Sequence, residues 1–147
     1  MTILTAHGAG NRFVVLLDPD GSRSLSADLA RALCAADGPL AEAGTGHDGA
    51  IRIAPVVDGG ADVVMDHRNA DGSTAEMCGN GVRVVARVAL EHGLVAAEAD
   101  VVAVLTGAGV RPVRVLRDAG GAFSAAAVGM GPAGRDPEDV GFVAAWA

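Results

Sequence analysis

The apolar positions of this chain follow a strand-like spacing in most places and a helical one in two. Residues 2–6 read as a short strand and 13–17 as an apolar one, joined by the glycine-rich turn His7-Gly8-Ala9-Gly10-Asn11. Asp18-Pro19-Asp20-Gly21 is a turn in which proline fixes one φ and glycine supplies the unusual one. Ser26 is placed to cap a helix over 27–36 that carries Leu29, Ala30 and Leu33 on one face. Residues 37–48 form a loop containing Gly44-Thr45-Gly46-His47-Asp48-Gly49. Residues 50–57 and 61–67 read as strands about the turn Asp58-Gly59-Gly60, and 99–106, 110–116 and 122–128 as three more.

The second helix, over 82–90, is of a different kind. Val82, Val84, Val85, Ala86, Val88, Ala89 and Leu90 cover nearly its whole circumference, with Arg83 and Arg87 its only charges before Glu91. A helix apolar on most sides is a buried helix. Its β-branched residues are mediocre helix formers, so burial must hold it. Gly93 closes it. Strands, one buried helix and more strands suggest α+β, with a sheet curved around that helix.

Cys78 stands at the mouth of this helix. Unpaired backbone N–H groups and the partial positive charge at a helix start favour a thiolate over a thiol, which suits such a cysteine to proton transfer. The glycines around it let the backbone approach a ligand closely. Cys34, among leucines on the first helix, reads as a core residue. His7 is expected to hold the glycine turn, His47 to be a polar loop residue and His67 to face outward from a strand end. Asn11 and Asn69 lie in turns, which Asn favours, and on their own read as turn formers.

Composition narrows the function. At 147 residues and 50% apolar content the chain is long enough for one domain with a core, yet it has only one Trp, three Phe and no Tyr. The core is therefore built from Val, Ala and Leu. The net charge is −7 and all eleven basic residues are Arg, without a basic cluster, which argues against nucleic-acid binding. Arg111, Arg114 and Arg117, spaced by three, read as a solvated strand face. A chain without lysine cannot hold pyridoxal phosphate as an internal aldimine. No His, Cys or acidic group has metal-ligand spacing, and Gly107-Ala108-Gly109 lacks the context of a nucleotide loop. Two cysteines make no disulfide framework. The N-terminus has no signal-peptide pattern, and the longest uncharged stretch, 119–134, is too short and glycine-rich to span a bilayer. A cytoplasmic protein with no membrane association is the expectation.

Three segments carry a resemblance. His7-Gly8-Ala9-Gly10-Asn11-Arg12-Phe13, Gly44-Thr45-Gly46-His47-Asp48-Gly49 and, above all, Asn69-Ala70-Asp71-Gly72-Ser73-Thr74-Ala75-Glu76-Met77-Cys78-Gly79-Asn80-Gly81 resemble the diaminopimelate epimerase family. The last is its N-x-D-G-S-x-x-x-M-C-G-N-G signature almost throughout. The resemblance implies an α+β fold, a curved, mostly antiparallel sheet or half-barrel wrapped around a central buried helix. It implies a cofactor-independent isomerase of lysine biosynthesis that converts LL- to meso-diaminopimelate with two opposed cysteines, of which Cys78 would be one. Asn11, Asn69, Gly79 and Asn80 match positions that bind the amino-acid head group. The resemblance covers about residues 1–130, the N-terminal half of a family member, and 131–147 are left as a tail of unassigned structure. No cysteine follows Cys78, and Arg12 stands where the family has an acid. The expected enzyme therefore takes its second cysteine from a partner polypeptide, as a heterodimer. The alternative is a truncated, non-catalytic paralogue that binds an amino acid or a partner protein, and the apolar segment 142–146 also points to a partner.

Overall fold

A computed structural model describes residues 1–75, 78–132 and 140–146. Eight strands and two helices follow one another as β1 (Thr2–Gly8), β2 (Asn11–Leu17), α1 (Ala27–Cys34), β3 (Gly49–Pro55), β4 (Val63–Asn69), α2 (Gly79–Glu91), β5 (Val101–Thr106), β6 (Gly109–Arg117), β7 (Phe123–Pro132) and β8 (Val140–Trp146). The strands form one sheet in sequence order, β1 to β8. Neighbours are antiparallel except β2–β3 and β4–β5, which are parallel. Those are the two joints bridged by a helix, as parallel pairing requires a crossover. The sheet curls into a half-barrel with α2 on its concave face. The expected fold is the observed one.

Alternation along each strand decides what meets α2. Phe13, Val15 and Leu17 of β2, Ile51 and Ile53 of β3, Val63 and Met65 of β4, and Val102 and Val104 of β5 all point inward against Val82, Val85, Ala86 and Ala89. Each valine side chain buried there contributes roughly 1.5–3 kcal/mol, enough to override its modest helix propensity. The other residues of β2 and β3 point outward: Val14, Leu16 and Ala50 pack with Leu25, Ala30, Leu33 and Cys34 in a second core under α1. Ser26 caps α1, its Oγ accepting the Leu29 N–H at 3.1 Å.

Three expectations change here. Arg111, Arg114 and Arg117 do not share one face, because a strand has a period of two and a spacing of three alternates sides. Arg114 is exposed, while Arg111 and Arg117 are half-buried on the side of Val113 and Val115. His67 is not a surface residue: it has the parity of Val63 and Met65, is buried, and meets the Phe13 ring edge-on at 5.7 Å. His47 is likewise buried. The stretch left unassigned contains β8, which pairs with β7 from Ala125↔Trp146 to Pro132↔Val140, whereas 133–139 and 147 lie outside the described residues. Among the described residues no helix is long and apolar enough to cross a membrane.

Candidate active site

The start of α2 is built around Cys78. This residue is the helix N-cap, with extended backbone (φ −137°, ψ 110°), and its Sγ accepts the Gly81 N–H at 3.4 Å. The first backbone bond of the helix runs from Val82 N–H to the Cys78 carbonyl at 2.9 Å. Gly79 and Asn80 occupy the first two helical positions, where N–H groups have no partner within a helix. These two donors and the half-buried thiol thus share one helix end. Glu76 and Met77 of the signature lie outside the described residues.

Two glycines allow this helix end to sit directly on the sheet. A Cβ at Gly81 would lie 2.7 Å from Met65 Cε and 3.2 Å from Ile51 Cδ1. A Cβ at Gly8 would lie 2.9 Å from the Asn80 carbonyl oxygen and 2.8 Å from Val84 Cγ2. The inner sheet and the end of β1 therefore both touch the first turns of α2.

Asn11 and Asn69 stand at strand ends. Asn11 opens β2 after a tight turn through Ala9 (φ 48°) and Gly10 (φ 92°), and pairs with Gly8. Positive φ at both central residues is the geometry that hairpin twist favours. Asn69 closes β4 opposite Gly49. Asp48 ties these two ends together. Its Oδ2 accepts the Arg12 N–H at 2.7 Å, its own N–H donates to the Arg12 carbonyl at 2.8 Å, and its carbonyl accepts the Ala70 N–H at 3.1 Å. The residues following Asn11 and Asn69 are thus clasped by one aspartate. Sequence reasoning missed this role, because the contact spans 36 residues. The Arg12 side chain, in place of an acid, pairs with Glu42 at 3.1 Å.

The charged and titratable groups nearby are unusual. Arg83 is buried and donates to Asn80 Oδ1. Burial pushes its guanidinium below the ordinary value, while a Cys78 thiolate within electrostatic reach acts in the opposite direction. An arginine inside an otherwise apolar helix was the available signal for it. Both ring nitrogens of His47 and of His67 are buried without a hydrogen-bond partner among the described residues. Burial pushes both imidazoles down; Arg12 adds to the effect at His47, and Asp66 opposes it at His67. A Cβ at Gly49 would lie 2.7 Å from His67 Nε2, so the imidazole packs against the strand that faces Asn69. Among the described residues no group of three His, Cys, Asp or Glu is placed to hold a metal.

A groove of about 310 Å³ runs beside this site, along α2, between His7 and Gly8 of β1, Arg83, Arg87 and Glu91 of α2, and Phe123 of β7. Arg87 lies over the Phe123 ring at 5.4 Å and pairs with Glu91 at 2.7 Å. Cys78, Asn11 and Asn69 do not line it. Cys34 belongs to the core on the convex face of the sheet, whereas Cys78 packs against the concave one. Burial pushes the Cys34 thiol up, and Asp48 adds to this. It therefore cannot oppose Cys78 across one substrate carbon.

Comparison with known proteins places the chain among relatives. The chain is 45% identical over 140 residues to the diaminopimelate epimerase of Rhodococcus jostii, covering 89% of this chain and 47% of the relative. It is 44% identical over 120 residues to that of Thermobifida fusca, covering 74% and 42%. The chain thus spans just under half the length of these relatives. Among solved structures it is similar to a hydroxyproline epimerase from Agrobacterium vitis with trans-4-hydroxy-L-proline bound (TM-score 0.62, 19% identity, 87% of this chain and 40% of that one). It is similar also to a probable proline racemase from Agrobacterium radiobacter (TM-score 0.61, 19% identity, 87% and 41%). At that identity these two likenesses speak for the fold alone. The family model for diaminopimelate epimerase matches residues 3–135, and the chain belongs to the diaminopimelate epimerase family.

Proposed function

We propose that this chain supplies one half of the acid–base machinery of a cofactor-independent amino-acid epimerase, with Cys78 as one of two opposed thiols and diaminopimelate, LL to meso, as substrate. The observation that carries the reading is the position of Cys78 as N-cap of α2, beside the first-turn N–H groups of Gly79 and Asn80, which have no acceptor within the helix. In one direction the Cys78 thiolate takes the α-proton: an S–H bond forms, the Cα–H bond breaks, and the electron pair passes into the α-carboxylate. The opposing thiol then returns a proton to the other face of the carbon. The α-proton is very weakly acidic, so the developing charge needs donors already in place, and the helix-end N–H groups are suited to that task. Asn11 and Asn69, clasped through Asp48, complete the head-group site on the sheet side. The second thiol comes from outside these residues, and the enzyme works in the cytoplasm, in lysine biosynthesis.

The test is α-proton exchange in D₂O, followed by NMR with LL-diaminopimelate. The chain is assayed alone, with the complementary half of the Rhodococcus jostii relative, and as Cys78→Ser with that half. Exchange and inversion in the pair, abolished by Cys78→Ser, are expected. Inversion by the chain alone would refute the need for a partner, and undiminished inversion by the serine variant would refute the role of Cys78.

A further inference from the structure

The orientation of the Asn69 amide is dictated by two residues that do not themselves need to touch a ligand. The turn that follows β4 is closed by Asn69 N–H to the Ser73 carbonyl and Gly72 N–H to the Asn69 carbonyl, both at 2.9 Å. Within it, Asp71 Oδ1 accepts from Ser73 N–H at 2.9 Å and from Ser73 Oγ at 2.6 Å. Asn69 Nδ2 lies 3.0 Å from the same Ser73 Oγ. The Ser73 hydroxyl and N–H pull the exposed Asp71 carboxyl below its ordinary value, so it is an ionised acceptor at neutral pH. Serine has one hydroxyl proton, and Asp71 takes it. Ser73 Oγ is left with lone pairs only and must accept from whatever faces it. Of the two ends of the Asn69 amide, only Nδ2 can donate. The opposite rotamer would set a carbonyl oxygen against an oxygen that has no proton to offer.

We propose that Asp71 and Ser73 are positioning residues that hold the Asn69 amide with Nδ2 against the turn and Oδ1 presented to the substrate. Asn69 shares the parity of Val63, Met65 and His67, which face α2, so its side chain belongs to the concave side where Cys78 stands. An amide held this way turns its acceptor oxygen outward, and that oxygen reads an ammonium group rather than a carboxylate. The N–H groups of Gly79 and Asn80 are the complement, suited to a carboxylate. This inference rests on the reading of the site as one for an amino-acid head group.

The ¹⁵N-labelled chain tests it in two arms. In the free chain, the Asn69 side-chain NH₂ protons are expected to show an NOE to the Ser73 Hβ protons. The displaced NH₂ signals are expected to revert to ordinary amide positions in Ser73→Ala and to be kept in Ser73→Thr, which retains the hydroxyl. Backbone spectra establish that each variant is folded. In the second arm, LL-diaminopimelate is titrated in the presence of the complementary half, against its N,N′-diacetyl derivative. Affinity is expected to fall on the order of tenfold in Ser73→Ala, to recover in Ser73→Thr, and to be lost on acetylation. Asn69 amide signals without the NOE, or unchanged in a folded Ser73→Ala, would overturn the proposal, as would equal affinity in the two proteins. If the wild-type pair binds no diaminopimelate, the substrate assignment fails, and the free-chain arm still decides the role of Asp71 and Ser73.

Discussion

Acidification from pH 7.5 to 5.5 should destabilise this protein far more than its carboxylates can account for, because it buries two imidazoles. His47 and His67 are 4% and 6% exposed, and neither has a hydrogen-bond partner for either ring nitrogen among the described residues. Burial depresses both folded-state pKa values below the ordinary 6.5. In the unfolded chain each histidine takes up a proton as pH falls through about 6.5, while the folded protein does so only at lower pH. The unfolded state then binds more protons, so stability rises with pH in this window. The contribution is fully present above about pH 6.5 and is lost progressively toward the depressed folded values. One imidazole can cost at most about 1.4 kcal/mol across that interval, the limit of full neutrality in the fold, and two at most about 2.7 kcal/mol. With a urea slope of about 1–3 kcal/mol per molar, that limit corresponds to a drop in the unfolding midpoint of roughly 1–3 M. Asp18 and Asp71, held below the ordinary 3.8, titrate only under more acid conditions and leave this range clear. His67→Phe, which keeps an aromatic partner for Phe13, should halve the loss. A midpoint that does not move between pH 7.5 and 5.5, or a loss unchanged in His67→Phe, would refute the reasoning.

Two further substitutions separate the site from the fold. Gly8→Ala places a Cβ 2.9 Å from the Asn80 carbonyl oxygen, a backbone atom that cannot swing aside; it should cost about 1–3 kcal/mol in urea unfolding and shift the Asn80 and Gly81 amide signals in the folded protein. Asp18 is fully buried, accepts from the Arg23 N–H and Arg52 Nε at 2.9 Å, and also pairs with Arg52 Nη2. Burial pushes its carboxyl up, but these partners outweigh that and hold it below the ordinary value. Asp18→Ala should therefore cost about 3 kcal/mol at pH 7, measured by urea unfolding, with the difference from wild type shrinking as pH falls below about 3.8 and Asp18 itself becomes protonated.

What the sequence revealed and what it concealed divide along one physical line. The cap at Cys78 links residues three apart, and the burial of α2 follows from the composition of its own surface. Both are local, so spacing alone is enough to read them. The burial of His67 is equally local, since it shares the strand parity of Val63 and Met65. The three arginines of β6, spaced by three, cannot share one face of a strand, whose period is two. The Asp48 clasp and the Arg52–Asp18 pair join residues 36 and 34 apart, and no local period encodes them.

The clasp also explains why the departure at Arg12 is tolerable. The role of position 12 in joining the two strand ends is played by its backbone: its N–H donates to the Asp48 carboxylate and its carbonyl accepts the Asp48 N–H. Neither bond depends on the side chain. An acid there would lie beside Asp48 and Glu42, whereas arginine replaces that repulsion by an ion pair with Glu42. Its side chain retains 20% exposure against 62% for Glu42, so the pair is weakly screened on one side only and contributes at most about 1 kcal/mol. Position 12 is thus constrained in conformation and loosely constrained in chemistry, which is the reverse of Asp48. Substitution at Asp48 removes the carboxylate that holds Arg12 N–H and loosens the loop whose carbonyl holds Ala70 N–H, and with them the spacing between Asn11 and Asn69.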